Sequence, residues 1–149
     1  MKKIALLLFF SLFLFSLQAQ KNLKGHWEGT ISFGGHEKKD GVRFELYIIV
    51  TGKKVKGETF IYKSKSEVVS QTFTGRIFDD HSIYIEEFID DKNPPFPTIG
   101  TPKKYQFIYN RSIFDSSMEG WWQDIIKNPF DETRERGRVY MQKSKATKA

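Results

Sequence analysis

The segment Val42–Lys63 decides the fold, and it reads VRFELYIIVTGKKVKGETFIYK. Apolar and polar residues alternate on both sides of Gly52-Lys53, a pattern typical of two half-buried antiparallel strands joined by a two-residue turn. Glycine at the first turn position supplies the positive φ of a type II′ turn, so that Thr51 pairs with Lys54. The segment therefore predicts a β-hairpin of defined register.

That register gives the hairpin two different faces. One face is apolar, and large side chains lie opposite smaller ones, as a curved sheet around a filled interior requires. Its pairs are Val50 with Val55, Ile48 with Gly57, Leu46 with Thr59 and Phe44 with Ile61. The other face pairs Ile49 with Lys56, Tyr47 with Glu58, Glu45 with Phe60 and Arg43 with Tyr62. This charged, amphipathic face is expected to meet water, whereas a transmembrane barrel would need an apolar exterior.

The same alternation recurs along the rest of the chain, and turn residues interrupt it roughly every ten residues. The candidate strands are His26–Phe33, Val42–Thr51, Lys54–Lys63, Glu67–Phe78, Ser82–Ile89, Lys103–Tyr109, Met118–Gln123 and Arg138–Lys143. An apolar-x-Gly-x-apolar pattern surrounds Gly25, Gly57, Gly75 and Gly120, and glycine within a strand indicates a bend or close packing. Because closure of a sheet needs strong coiling, we predict an all-β fold, a single antiparallel up-and-down barrel of about eight strands with little helix.

Two connections are longer than the turns. Asp90–Pro102 contains four of the five prolines and cannot be regular strand, because proline lacks the amide donor of a ladder. Its length and stiffness suggest a lid over the open end of the barrel. The second connection, Asp124–Gly137, is compatible with one helical turn near Asp124–Lys127. Lys143–Ala149 is predicted to be a frayed polar tail.

The N-terminus has the layout of a secretory signal peptide. Met1-Lys2-Lys3 is cationic, Ile4–Leu17 is almost entirely apolar, and Ala19 offers a small residue for cleavage. The apolar run is too short for an ordinary membrane span, which disfavours the alternative of an uncleaved anchor. We therefore assign residues 1–19 to a signal peptide and residues 20–149 to one barrel domain, exported to the periplasm or the exterior of a Gram-negative envelope. No second stretch predicts a transmembrane segment in the mature chain.

Composition excludes several function classes. The 149 residues carry a formal charge of +6 and no cysteine, so disulfide frameworks, thiolate zinc sites and cysteine nucleophiles are ruled out. The three histidines lack metal-site spacing, and the chain has no nucleophile elbow, P-loop or dinucleotide fingerprint. We predict no catalytic residue, no metal and no cofactor. The lysines are scattered, which argues against nucleic acid as a partner and favours solubility or attraction to anionic surfaces.

Gly25-His26-Trp27, early in the first strand, resembles the Gly-x-Trp motif of the calycins, the group of lipocalins, fatty-acid-binding-type barrels and avidins. The resemblance implies that Trp27 closes one end of a barrel. It also implies that a basic side chain near the start of the last strand, Arg136 or Arg138, covers the indole ring.

Strand parity places many aromatic side chains inside the barrel, where they either fill the interior or line a pocket. The predicted ligand-binding residues are Phe44, Gln71, Tyr105, Tyr109 and Trp122, with Thr59 and Glu87 as further polar groups that orient a ligand. This set of inward aromatic and polar residues indicates a non-enzymatic protein that binds a small apolar or amphipathic molecule. An alternative is an interaction protein that binds a protein or glycan partner, or itself, through its loops and the outward residues Tyr47, Phe60, Tyr62 and Trp121. A weaker third hypothesis is a hydrolase that uses rim carboxylates such as Glu87 and Glu45.

Export predicts processing between Ala19 and Gln20, because the cationic, apolar and small-residue segments follow one another in the order that signal peptidase requires. N-terminal sequencing of the envelope protein is expected to begin at Gln20 or one residue beyond. An intact Met1 would contradict the assignment.

Overall fold

The computed structural model describes residues 22–37, 40–88, 100–112, 114–126, 128 and 130–145. These residues form eight strands: β1 (Gly25–Ile31), β2 (Val42–Thr51), β3 (Lys54–Tyr62), β4 (Val68–Ile77), β5 (Ser82–Phe88), β6 (Lys103–Asn110), β7 (Ser117–Asp124) and β8 (Arg136–Lys143). Each strand pairs antiparallel with the next, and β8 pairs with β1 to close the barrel. The structure confirms the predicted all-β, up-and-down barrel.

The register of the central hairpin is the predicted one. Thr51 lies opposite Lys54, Val50 opposite Val55 and Phe44 opposite Ile61. The residues of the apolar face are buried or nearly so, whereas Tyr47, Ile49 and Lys56 on the other face are exposed. Alternation and turn chemistry are therefore sufficient to predict this register, because a shift by one residue would exchange the two faces.

Side chains from all eight strands fill the barrel interior. Phe44, Tyr105 and Phe107 form a continuous stack, with ring centroids 5.7 Å and 5.8 Å apart. Ile31, Leu46, Ile83, Met118 and Met141 are among the fully buried residues around it. The middle of the barrel is thus a packed core, as expected for eight strands.

Two of the predicted glycines show why the strands need them. A Cβ on Gly57 would lie 1.7 Å from the carbonyl oxygen of Tyr47, and one on Gly120 would lie 1.9 Å from that of Gln106. The adjacent strands approach so closely here that no side chain fits. This close approach is what strong coiling produces in a small barrel.

The barrel has two unlike ends. At the first, the Trp27 end, connections of two, four and six residues join β2 to β3, β4 to β5 and β6 to β7, and both Leu23 and Ser144 lie there. At the second, the Glu87 end, the connections between β1 and β2, β3 and β4, β5 and β6, and β7 and β8 meet, and all but the five-residue β3–β4 connection have ten residues or more. No helix among the described residues is long and apolar enough to cross a membrane.

Some predicted details differ from the structure or lie outside it. Asp124 is the last residue of β7 and the next two residues are not helical, so the helical turn predicted from Asp124 is not formed over 124–126. The backbone there is held by a hydrogen bond from Ile125 N to Pro102 O, at 2.8 Å. Lys143 belongs to β8 rather than to a frayed tail. The signal peptide, Lys127, residues 146–149 and residues 90–99 of the predicted lid lie outside the described residues.

Trp27 closes the first end of the barrel, as predicted. It is fully buried, and its indole Nε1 donates a hydrogen bond of 2.9 Å to the carbonyl of Leu23. Tyr109 packs edge-on against its ring at 5.9 Å. The Nζ of Lys143 lies 5.7 Å from the ring centroid and donates a hydrogen bond to the carbonyl of Asn22.

The cation that covers Trp27 is therefore Lys143, not Arg136 or Arg138. Because β8 runs antiparallel to β1, its last residue rather than its first lies beside Trp27. Arg138 lies opposite Trp121 of β7, and Arg136 lies opposite Gln123 at the other end of the barrel. The basic side chain does come from the last strand, but from its far end.

Replacing Trp27 by alanine is expected to lower the free energy of unfolding by about 3 to 5 kcal/mol, since a fully packed ring leaves a cavity. Lys143→Met is expected to cost about 0.5 to 2 kcal/mol through loss of the contact with the indole face. Chemical denaturation measures both changes. Arg138→Met is the control, and an equal loss in that variant would contradict the assignment of Lys143.

Candidate ligand-binding site at the Glu87 end

A buried carboxylate lies at the centre of the Glu87 end. Glu87 faces inward from β5 and is only 4% exposed. Its Oε1 accepts hydrogen bonds from Thr59 Oγ1 at 2.6 Å and from the Tyr105 hydroxyl at 2.7 Å, and its Oε2 accepts one from Lys103 N at 2.8 Å. Three donors from β3 and β6 therefore hold one carboxylate inside the barrel.

A buried ion pair lies beside this carboxylate. Lys103 and Asp124 face each other across β6 and β7, and the Nζ of Lys103 is 2.7 Å from Asp124 Oδ1. The same ammonium group lies 4.6 Å from the ring centroid of Trp122. Asp124 also accepts a hydrogen bond from Glu135 N at 3.2 Å, which anchors the connection to β8. Lys103 is thus paired with Asp124, and Glu87 forms no salt bridge with any described residue, although the Lys103 charge still favours its ionised form.

Burial decides the electrostatics of the cluster. Desolvation raises the pKa of Glu87 above its usual 4.5, and the bonds from Thr59, Tyr105 and Lys103 offset only part of that effect. Burial, together with the nearby Glu87 charge, also raises the pKa of Tyr105 well above 10.0, so this hydroxyl stays a donor. When the Glu87 carboxyl group is ionised, its burial lowers the free energy of unfolding.

Gln71 adds an unsatisfied donor to the same inward surface. It faces inward from β4, next to Thr59 in the register, and is 6% exposed. Its side-chain Nε2 is buried and has no hydrogen-bond partner among the described residues. A buried amide donor without an acceptor lowers the free energy of unfolding by about 1 to 3 kcal/mol, so the presence of Gln71 in the interior needs a physical explanation.

Aromatic rings pack around the polar cluster. Phe44 stacks on Tyr105, and Phe33 packs edge-on against Trp122 at 5.0 Å. The indole Nε1 of Trp122 donates a hydrogen bond of 2.8 Å to the carbonyl of Ser32, which fixes the ring at this end. The combination of aromatic walls with a few convergent polar groups is the usual composition of a small-molecule site.

Of the five predicted ligand-binding residues, the structure brings four together. Phe44, Gln71, Tyr105 and Trp122 all belong to the Glu87 end. Tyr109 also faces inward, but it lies four residues further along β6, or about 13 Å. Its neighbour is Trp27, so it belongs to the opposite end of the barrel. Parity correctly predicts that a side chain points inward, but it does not give its height along the barrel.

Sequence reasoning missed Lys103 and Asp124. The former was grouped with the scattered lysines of turns, and the latter with the loop that follows β7. Strand parity offered a signal, because Lys103 shares its face with Tyr105 and Phe107, and Asp124 shares its face with Trp122.

The predicted rim carboxylates do not share a cleft. Glu87 points into the barrel, whereas Glu45 lies on the outer face, opposite Glu28 and Phe60. The wall of the barrel separates them. Paired catalytic carboxylates must flank one bond, and these two do not.

The outward aromatic residues do not form one surface. Tyr47, Phe60 and Tyr62 lie on the adjacent strands β2 and β3, whereas Trp121 lies on β7, across the barrel. Tyr47 is exposed, but Phe60 and Tyr62 are half-buried, and the Arg43 guanidinium covers the Tyr62 ring at 4.8 Å. An outer groove of about 370 Å³ runs beside them, lined by residues that include Tyr47, Ile49 and Phe88.

Comparison with protein-family models, with curated proteins and with solved structures gives no match for this chain. The likeness to calycins is therefore limited to the architecture, a closed, eight-stranded antiparallel barrel. The function must be argued from the site itself.

The raised pKa of Glu87 predicts a pH-dependent stability. The folded protein holds a proton on this group more tightly than the unfolded chain does. Its contribution to stability is therefore complete below the ordinary pKa of 4.5 and is lost as the pH rises through the raised value. The free energy of unfolding of the wild type, measured relative to Glu87→Gln by denaturation at a series of pH values, is expected to fall over this window.

Glu86→Gln is the matched control, since it removes the same charge from the outer face of the same strand. A difference between wild type and Glu87→Gln that stays constant with pH would contradict the assignment of a perturbed carboxyl group.

Proposed function

We propose that the protein is an exported, non-enzymatic binding protein of the calycin type that holds a small neutral molecule at the Glu87 end. The observation that carries the proposal is the buried, unpartnered Nε2 of Gln71 beside aromatic walls. A ligand with a carbonyl or hydroxyl oxygen would supply the missing acceptor. The cost of leaving this donor unpaired in the free protein would then be recovered on binding.

The charges of the site argue for a neutral ligand. Lys103 is paired with Asp124, so the cluster carries a net negative charge whenever Glu87 is ionised. A carboxylate or phosphate placed near Gln71 would be repelled by Glu87 in a region of low dielectric. An ester, amide, ketone or alcohol meets the amide donor without that repulsion.

The packing limits the size of the ligand. Towards the Trp27 end the interior is filled by Leu46, Phe107, Met118 and Met141, all of them buried. A long acyl chain that runs along the barrel axis would have to displace this core. We therefore propose a short apolar group seated against Phe44, Tyr105 and Trp122, with its polar group at Gln71.

Three features support the calycin type beyond the strand count. Trp27 closes one end, a basic side chain of the last strand covers it, and the longer connections surround the other end. The N-terminal pattern of residues 1–19 supports export.

Replacing Gln71 by leucine tests the site. The change keeps the volume but removes the donor, so it is expected to stabilise the free protein by about 1 to 3 kcal/mol and to weaken ligand binding. Gln71→Phe is expected to abolish binding by filling the site while the fold is retained. Titration with a small neutral dye, the single-ring ester methyl 4-(dimethylamino)benzoate, whose fluorescence depends on the polarity of its surroundings, measures affinity, and chemical denaturation measures stability.

Tyr109→Phe is the matched control. The Tyr109 hydroxyl is also buried without a partner, but at the Trp27 end. Its removal is expected to stabilise the protein and leave dye binding unchanged. Dye binding that survives Gln71→Phe, or a short fatty acid that binds as well as its methyl ester at neutral pH, would contradict the proposed site.

A second candidate function rests on the outer groove beside Tyr47, Ile49 and Phe88, which exposes apolar surface on β2 and β5. It favours a protein or glycan partner, or self-association. Two results together would favour this candidate. The wild type would bind no neutral apolar probe, and a partner of the wild type would be lost in Tyr47→Ser but retained in Trp121→Ser.

A further inference from the structure

We propose that the Trp27 end docks on an anionic membrane surface, with a basic pocket for a lipid phosphate headgroup and an exposed phenylalanine that enters the interface. This site is separate from the Glu87 end and does not depend on the ligand proposed there. It is built by the turn between β6 and β7, residues 111–116, and by the end of β8.

Charge is distributed unequally between the two ends. We count the turn residues at each end together with the two nearest residues of every strand. The basic residues of the Trp27 end are Lys24, Lys53, Lys54, Arg76, Arg111, Lys143 and Lys145, against Asp79, Asp80 and Asp115. The described residues of the Glu87 end, counted alike, include Glu37, Asp40, Glu67, Glu87, Asp124, Asp131, Glu132 and Glu135, against Arg43, Lys63, Lys65, Lys103, Lys104, Arg134 and Arg136. The described residues of the Trp27 end thus carry four more basic than acidic side chains, and those of the Glu87 end one fewer. In the sequence, the connections at the Glu87 end also contain Lys38, Lys39, Lys92 and Lys127 against Asp90 and Asp91, which brings that end to +1, so the Trp27 end is the more basic of the two.

Part of this charge surrounds a pocket. A depression of about 420 Å³ is lined by Asn22, Arg111, Ser112, Phe114, Ser116, Lys143, Ser144 and Lys145. Its three cations come from the β6–β7 turn and from the end of β8. The Nζ of Lys145 lies 3.4 Å from Asp115 Oδ1, an exposed pair that is weak in water. The Ser112 hydroxyl beside the cations accepts a hydrogen bond from Phe114 N and offers its own hydrogen to a phosphate oxygen, whereas the Ser116 and Ser144 hydroxyls donate to Ser112 O and Glu28 Oε1.

Phe114 makes a bilayer a better partner than a soluble anion. Its side chain is 85% exposed at the edge of the basic pocket. Phe78, on the neighbouring β4–β5 turn, is also exposed, and the Arg76 guanidinium lies 5.8 Å from its ring centroid. Aromatic rings next to cations suit the interface between headgroups and acyl chains. An acidic glycan would pair with the cations but offer nothing to these rings.

The path of the chain agrees with this orientation. Asn22 lies in the basic pocket, so residues 1–21 join the barrel at the Trp27 end. After cleavage behind Ala19, the mature N-terminus would lie two residues before Asn22, at the same end of the barrel as the basic pocket.

The experiment is cosedimentation of the protein, without residues 1–19, with vesicles of phosphatidylcholine alone and with vesicles that also contain phosphatidylglycerol. Binding is expected only to the anionic vesicles and is expected to weaken as salt rises. Each cation near such a surface contributes a factor of about five in affinity. The double variant R111S/K145S is therefore expected to bind roughly 25-fold more weakly, and Phe114→Ser is expected to weaken binding further. Lys143 is left unchanged because it packs on Trp27.

The opposite end supplies matched controls. Phe130 is 87% exposed, as Phe114 is, but its neighbours are Asp131 and Glu132. Phe130→Ser and the double variant K63S/R136S are expected to leave vesicle binding within two-fold of the wild type, apart from the general effect of net charge. Equal losses from the two ends, or no binding to anionic vesicles, would overturn the proposal. Binding to heparin that exceeds vesicle binding and is insensitive to Phe114→Ser would indicate a glycan instead, and release by millimolar inorganic phosphate alone would indicate a free anion.

Discussion

The pairing of β1 with β8 is the constraint on which the rest of the structure depends. It joins Trp27 to Lys143 and Ile31 to Val139, so the sheet has no free edge and its inner face encloses a core of buried side chains. With only eight strands the enclosed volume is small, and the strands must coil tightly to close it. Gly57 and Gly120 permit that approach, and stacked aromatic rings fill the space that results.

Closure also determines what the polar residues inside must do. The Glu87 side chain points into the barrel, so its carboxylate depends on Thr59, Tyr105 and the backbone of Lys103 for the hydrogen bonds that water would otherwise supply. An apolar residue of similar size would serve the core at lower cost. In this network only the Gln71 amide lacks a hydrogen-bond partner among the described residues. Its place on the inward surface of the Glu87 end supports the proposed recognition of a ligand, because an unpaired donor adds nothing to stability.

The two ends of the barrel differ in structure and in charge. The Trp27 end is closed by an indole ring, and its described residues carry more basic than acidic side chains. The Glu87 end is surrounded by longer connections and contains the buried carboxylates. An up-and-down barrel with an even number of strands produces this division, because successive connections alternate between its ends. A protein of this kind could present one end to a surface and keep the other available to a ligand.

The sequence by itself determined the strands, the hairpin register and the inward faces, because period-two alternation and turn chemistry are local properties. It therefore predicted Trp27, Phe44, Gln71, Tyr105 and Trp122 as inward residues. Only the tertiary structure decided which of them meet. Antiparallel pairing placed Lys143 instead of Arg138 over Trp27, packed Tyr109 against Trp27, and joined Lys103 to Asp124 inside the barrel. Parity along a strand tells inside from outside, whereas height along the barrel depends on the register between strands that are distant in sequence.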